Sequence, residues 1–225
     1  MVKLRLSALG GTIHVAGINM NFKTIAISAL LSGLVALTGC TTSRLSFLPT
    51  ATYGAVSDGG FRLPAIPTGK VPEKFRRQTV IYLSKEKPGT IIVDTAARHL
   101  YFVTGKAEAV RYGIGVGRDG FRWNGTARIA LKREWPTWTP PKEMIARKPE
   151  LIKFADGQGP GLTNPLGPRA LYLFNKNGDT GYRLHGTPEW WSIGKAVSSG
   201  CIRMLNQDII DLYGRAEVGA KVIVK

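Results

Sequence analysis

The sequence predicts a mainly β domain over residues 79–225, a sandwich or barrel-like sheet with one or two short helices. Three observations carry that expectation. From Thr79 onward, β-branched and aromatic runs recur between glycines, a Lys-Pro-Gly and short polar turns. Helical patterning is confined to two short stretches, one after the Pro140-Pro141 pair and one after Met204. No repeat of about 20 to 50 residues is visible.

The first segment, residues 1–39, reads as an extension plus a leader. Lys23 supplies a positive start, Ile25 to Leu37 an apolar stretch, and Met20 is the expected true start codon. Leu37-Thr38-Gly39-Cys40 resembles the bacterial lipobox, which implies cleavage before Cys40 and a diacylglycerol on its thiol. The apolar run is short of the about 20 residues a spanning helix needs, so a lipid anchor is expected, with an uncleaved anchor as the alternative. The resemblance implies a periplasmic protein held at a membrane. Thr41 in place of an aspartate favours the outer membrane over the inner.

Residues 40–78 comprise the lipidated cysteine and a Thr-, Ser-, Gly- and Pro-rich stretch without apolar period, expected to be a flexible tether. Thereafter "TVIYLS" reads as a strand, and Ile91 to Asp94 with His99 to Val103 as a hairpin. "AVRYGIGVG" and "TARIALKREW" are further strands, and Lys142 to Lys148 a short helix. "ALYLFN" and "GYRLHG" flank a turn at Asn177-Gly178. "MLNQDIIDLYGRA" is a helix capped by Asn206, with Asp208 in its first turn, Ile209, Ile210, Leu212 and Tyr213 on its buried face, and its exit at Gly214. "AKVIVK" is a last strand.

Two cysteines occur in the chain, and after Cys40 only Cys201 remains. A lone thiol in an oxidising compartment is a liability unless it is buried or used. Use as a nucleophile requires a thiolate, and hence a base or cation nearby, most simply a histidine. His185, ending a strand beside Gly186, and Cys201, after Ser198-Ser199-Gly200, are the candidate pair. The amides of Gly200 and Cys201 are candidate donors to an oxyanion. A buried thiol and a satisfied core histidine are the alternative that these residues alone leave open.

"HGTPEWWSIGKAVSSGCIRMLNQDIIDLY" resembles the signature of the L,D-transpeptidase catalytic domain, the YkuD family, in its ErfK/YbiS-like Gram-negative branch. "IIVDTAARHLYFV", "YGIGVGRDGFRWNGTARI", "WPTWTPPKEMI" and "NPLGPRALYL" are similar to that branch in order. The resemblance implies a YkuD-type β-sandwich around a cleft and acyl transfer on peptidoglycan stem peptides, serving cell-wall organisation and cell shape. In it Cys201 matches the nucleophile, His185 the base, and the Gly186 carbonyl the group that orients the imidazole. Arg203 matches a residue able to pair with a stem carboxylate, or with a structural partner. Where many members read Ser-His-Gly-Cys this chain reads Ser198-Ser199-Gly200-Cys201, and the Ser199 hydroxyl is no base at neutral pH. That departure is the one feature favouring a weakly active peptidoglycan-binding module of the same fold. Trp190 and Trp191, between His185 and Cys201, are candidate cleft-lining residues.

Lys plus Arg number 31 against 15 Asp plus Glu, a net charge of +16. The leader carries Lys3, Arg5 and Lys23 and no acid, so the exported part remains strongly basic. Such charge suits stem-peptide carboxylates and anionic lipid, and export argues against nucleic acid as the partner. The resemblance implies an amine acceptor, on a second stem peptide or on a protein attached to the wall. No metal-ligand spacing and no phosphate-binding glycine loop is present, so no cofactor is expected.

Overall fold

The computed structural model describes residues 52–118 and 123–225. The leader, Met20 and Cys40 lie outside the described residues. Among the described residues no helix is long and apolar enough to cross a membrane.

Among the described residues twelve strands and two α-helices follow one another: β1 Val56–Asp58, β2 Phe61–Leu63, β3 Gln78–Ile81, β4 Ile91–Asp94, β5 His99–Gly105, β6 Glu108–Gly117, β7 Gly125–Glu134, α1 Lys142–Arg147, β8 Arg169–Asn175, β9 Gly178–His185, β10 Ala196–Ser198, β11 Ile202–Met204, α2 Asn206–Arg215 and β12 Lys221–Val224. Strands β6, β11, β9, β8, β7, β12, β4 and β5 pair in that order, and β5 pairs again with β6. The ring therefore closes into a barrel-like sheet, with β3 and β10 paired to β6 outside it. Strand β6 makes closure possible by changing partners along its length. Its first half pairs with β3 and β5, and its second half with β11 and β10.

The barrel is filled by the apolar residues that the β-branched runs supply, among them Ile91, Val93, Ile114, Ile129, Leu171, Leu184 and Met204. Helix α2 adds Ile209 and Leu212 to this core, packed against β8. The β8–β9 hairpin turns where Asn175 Oδ1 accepts the Asn177 amide at 2.8 Å and Gly178 takes φ +102°.

Residues 53–78 are not a free tether. Tyr53, Ile66, Val71 and Phe75 are buried with Ile193 and Leu205 in a second apolar cluster. Asp58 forms a two-pronged ion pair with Arg169 at 2.7 and 2.8 Å and accepts the Trp135 indole N–H at 2.8 Å. Four isolated apolar anchors spaced along a proline-rich strap leave no periodic stripe, so period-based reading sees only a linker.

Helix α2 departs from its expected caps. Asn206 makes no capping bond, Leu205 is the N-cap residue, and Gly214 lies inside the helix, which ends at Arg215. Ile210 and Tyr213 are only half-buried, while the polar Asn206, Gln207 and Asp208 are buried. Gln207 Nε2 donates to the Gly54 and Pro64 carbonyls at 3.0 and 3.1 Å. Asp208 Oδ2 accepts the Tyr53 hydroxyl at 3.1 Å, and that hydroxyl accepts the Arg77 amide at 2.6 Å. The strap is thus fastened by the first turn of α2.

Burial raises the Asp208 carboxyl to about 7, against the lowering effect of the Arg77 charge and the Tyr53 hydroxyl. An acid raised in the folded state favours folding fully below its unfolded value of 3.8 and loses that contribution as pH rises through about 7. His185, lowered by burial to about 4, acts oppositely, losing its contribution as pH falls from 6.5 to about 4. Comparison with Asp208→Asn separates the two. The stability advantage of the parent chain over that variant should shrink in denaturant melts as pH is raised from about 5 to about 8, and a pH-independent difference would contradict the assignment.

Candidate active site

Strands β9 and β11 run parallel with Leu184 beside Ile202 and His185 beside Arg203. Leu184 and Ile202 belong to the barrel core. Side chains alternate along a strand, so Arg183, His185, Cys201 and Arg203 project from the opposite face. Cys201, one residue ahead of β11, falls next to Arg183 and diagonally from His185. The register alone brings thiol and imidazole to one face.

His185 is 4% exposed. Its Nδ1 lies 2.6 Å from the Gly186 carbonyl oxygen. A carbonyl only accepts, so Nδ1 carries the proton and, in the neutral ring, Nε2 carries the lone pair. Burial, with the Arg203 and Arg183 charges, lowers the imidazole to about 4 despite the opposing Gly186 and Pro165 carbonyls. The ring is neutral at pH 7.

Two hydrogen bonds hold this loop. The Gly186 amide donates to the Arg169 carbonyl at 3.2 Å, and the Thr187 amide to Asn206 Oδ1 at 2.9 Å. Gly186 and Gly167 sit so close to Asn206 Oδ1 that a Cβ on either would stand 2.5 or 2.6 Å from it. Glycine is required at both by proximity.

Cys201 is half-buried. Burial pushes its thiol up, opposed by the Arg183 amide and by the Arg183 and Arg203 charges. Its Sγ points to the Gly181 carbonyl oxygen at 4.0 Å, and among the described residues no hydrogen bond joins it to His185. The resting pair is therefore a neutral thiol with a neutral imidazole.

The turn before the thiol is fixed by Ser198, whose buried hydroxyl donates to the Cys201 carbonyl at 2.6 Å and accepts the Gly200 amide at 3.2 Å. Of the two expected oxyanion donors, Gly200 directs its N–H to Ser198 in this state. Ser199 is exposed beside this turn. Arg203 pairs with Glu189 at 2.5 Å. Trp190 and Trp191 form a short 3-10 turn and line a separate groove that includes neither His185 nor Cys201.

Arg183 and Ser198 carry no role in the sequence reading, and Asn206 carries only that of a helix cap. Arg183 was within reach of it, since it precedes His185 by two in a strand and so shares its face. It is clamped by Asp179 through two contacts of 2.7 Å and lies over the Tyr172 ring. Ser198 and Asn206 act through contacts that only the folded chain reveals. Among the described residues no group of three or more His, Cys, Asp or Glu side chains is placed to hold a metal ion.

The family model described as the L,D-transpeptidase catalytic domain, YkuD, matches residues 88–224. The Escherichia coli K12 protein named Probable L,D-transpeptidase YcfS is 36% identical over 140 residues, covering 60% of this chain and 43% of that protein. Probable L,D-transpeptidase YbiS of the same strain is 33% identical over 139 residues, covering 60% and 43%. The matched stretch is thus less than half the length of these relatives. A solved chain from Brucella melitensis, described as a probable carnitine operon oxidoreductase, is 47% identical with a TM-score of 0.48, covering 71% of this chain and 99% of that one. The name it bears describes that protein alone.

Removing the Asn206 side chain leaves the Thr187 amide and the loop after His185 without their buried acceptor. Asn206→Ala should cost about 1–3 kcal/mol in chemical denaturation and speed exchange of the Thr187 amide; a loss under about 0.5 kcal/mol with unchanged exchange would contradict that role.

Proposed function

The chain belongs to the L,D-transpeptidase catalytic-domain family, and from that premise we propose that it is a cysteine acyltransferase acting on peptidoglycan stem peptides. The observation that carries this reading is the buried, neutral His185, its tautomer set by Gly186, on the same strand face as Cys201.

As the Cys201 thiol turns from Gly181 toward the imidazole, Nε2 of His185 takes its proton while sulfur attacks the carbonyl on the L-centre of meso-diaminopimelate. The C=O π pair moves to oxygen, and the Cys201 amide donates to the oxyanion. Collapse of the tetrahedral adduct breaks the bond to D-alanine, whose amine leaves with the proton held by His185. A thioester to Cys201 remains. An acceptor amine then attacks it, His185 removes the amine's proton, and the sulfur departs to recover that proton as the thiol. Acceptors are the side-chain amine of a second diaminopimelate, giving a 3-3 cross-link, or an amine presented by a protein.

Two cationic side chains, Arg183 and Arg203, flank the thiol and suit a substrate bearing carboxylates. Arg203 would exchange its partly exposed partner Glu189 for a stem carboxylate. Residues 1–39 and the lipobox-like motif at Cys40 support export to the periplasm with a lipid anchor, the outer membrane being favoured.

Incubated with a carbapenem or a disaccharide-tetrapeptide, the protein should gain the corresponding acyl mass at Cys201, and Cys201→Ala and His185→Ala should gain none. A general base titrating at about 4 keeps acylation level across neutral pH, with the acid limb near pH 4 to 5 and not near the thiol's own value. If the parent chain stays unmodified where a Ser-His-Gly-Cys relative reacts, the alternative of a peptidoglycan-binding module replaces this reading. Recovery on Ser199→His would then identify the missing imidazole as the cause.

A further inference from the structure

Trp191 is 53% exposed, and its neighbour Trp190 meets it edge-on with ring centroids 5.6 Å apart. The two indoles line a groove of about 400 Å³ with Val71, Phe75, Lys70 and Lys195. Its far wall is the strap that the sequence presented as a tether. Phe75 is pressed onto Gly194 so closely that a Cβ there would stand 2.3 Å from the ring, and Gly194 and Lys195 are tied to β6 by backbone hydrogen bonds of 3.0 Å. The groove is therefore built into the fold and formed before any ligand arrives.

We propose that this groove is a glycan subsite that holds the amino-sugar end of the peptidoglycan strand whose stem peptide reaches Cys201. The proposal rests on the acyltransferase reading above for the identity of the substrate. Three observations select a sugar as the occupant. An exposed flat indole over an apolar floor offers a stacking surface for the C–H face of a pyranose, while the open side leaves its hydroxyls in water. Lys70 and Lys195 at the rim meet no carboxylate among the described residues, and they complement the free carboxylates of a stem peptide leaving the sugar. The groove is separate from the candidate active site, but two chain segments link them. Trp190 follows Glu189, which is bonded to Arg203 two residues along from Cys201, and Lys195 leads through β10 into the turn that carries the thiol.

The reach agrees with this placement. Two residues of strand and the Arg203–Glu189 pair link Cys201 to the segment that carries the indoles, a path that bounds their separation at roughly 15–20 Å. Three stem residues lie between the sugar and the carbonyl under attack, and extended they span about 11 Å before the lactyl link is added. A sugar on Trp191 can thus deliver the third stem residue to the thiol.

The test compares two substrates on the full chain: a disaccharide-tetrapeptide and the same tetrapeptide with its N-terminus acylated but no sugar. The readout is the ratio of their kcat/KM values for D-alanine release. The parent chain should prefer the sugar-bearing substrate about tenfold, Trp191→Phe should retain part of that preference, and Trp191→Ala should bring the ratio near one. A ratio near one in the parent chain, or an undiminished ratio in Trp191→Ala, overturns the proposal. A second measurement does not depend on turnover. The peptide-free disaccharide is titrated against Cys201→Ala, with tryptophan fluorescence as the signal and Cys201→Ala/Trp191→Ala as the control. Saturable change in the first and none in the second supports the subsite, and no change in the first overturns it. If neither substrate nor a carbapenem acylates the parent chain while the disaccharide still binds, the acyltransferase reading has failed and the subsite stands.

Discussion

The parallel register of β9 against β11 is the constraint on which the site depends. With His185 opposite Arg203, the odd-numbered residues of both strands share the face away from the barrel, and the even-numbered Leu184 and Ile202 share the core. A slip of one residue would send the imidazole inward and a leucine outward, so the burial of Leu184 and Ile202 also guards the position of the candidate pair. Stability and chemistry are here coupled through one strand pairing. The long strand β6 secures it in turn, since β11 is held between β9 and the second half of β6.

The first turn of α2 is the other organising element. Three consecutive buried polar residues leave the helix in different directions, Asn206 to the loop after His185, Gln207 to the strap carbonyls, and Asp208 to Tyr53. Buried polar groups need partners, and these partners lie in segments that have little regular structure of their own. The helix therefore holds in place the two irregular pieces that border the site and the tryptophan groove. It follows β11 with only Leu205 between them, so the strand downstream of the thiol and the loop downstream of the imidazole are fastened to the same turn.

Much of this was legible in the sequence because it was periodic. The hairpins of β4–β5 and β8–β9, the long β7, the short α1 and the closing β12 are all written in alternation, turn residues and proline placement. His185 and Cys201 stand out in the sequence as a candidate pair, a histidine and the one thiol beyond Cys40, each beside a glycine in a chain that resembles one family. The strap was not legible, because its anchors are single residues whose partners lie more than a hundred positions away, as Tyr53 and Asp208 do. Asn206 was misread for a related reason. Local sequence offers it as a helix cap, and a tertiary acceptor demand at Thr187 won over that local use. Arg183 needed only the period of two, applied backwards from His185.

The two serines before the thiol now have different standing. Ser198 is buried and bonded at both ends of the turn, so its hydroxyl sets the path of the backbone into Cys201. Ser199, which stands where many relatives carry histidine, faces solvent. An exposed imidazole there would be well hydrated and would titrate near its ordinary value, whereas the buried His185 is held neutral to about pH 4. The loss of the exposed ring therefore leaves intact the tautomer and neutrality of the buried one, which depend on Gly186 and on burial. What it removes is a positive charge that could favour the thiolate below about pH 6.5. In the proposed reaction, a raised thiol and a lowered imidazole favour proton transfer that accompanies attack on the substrate over transfer that precedes it.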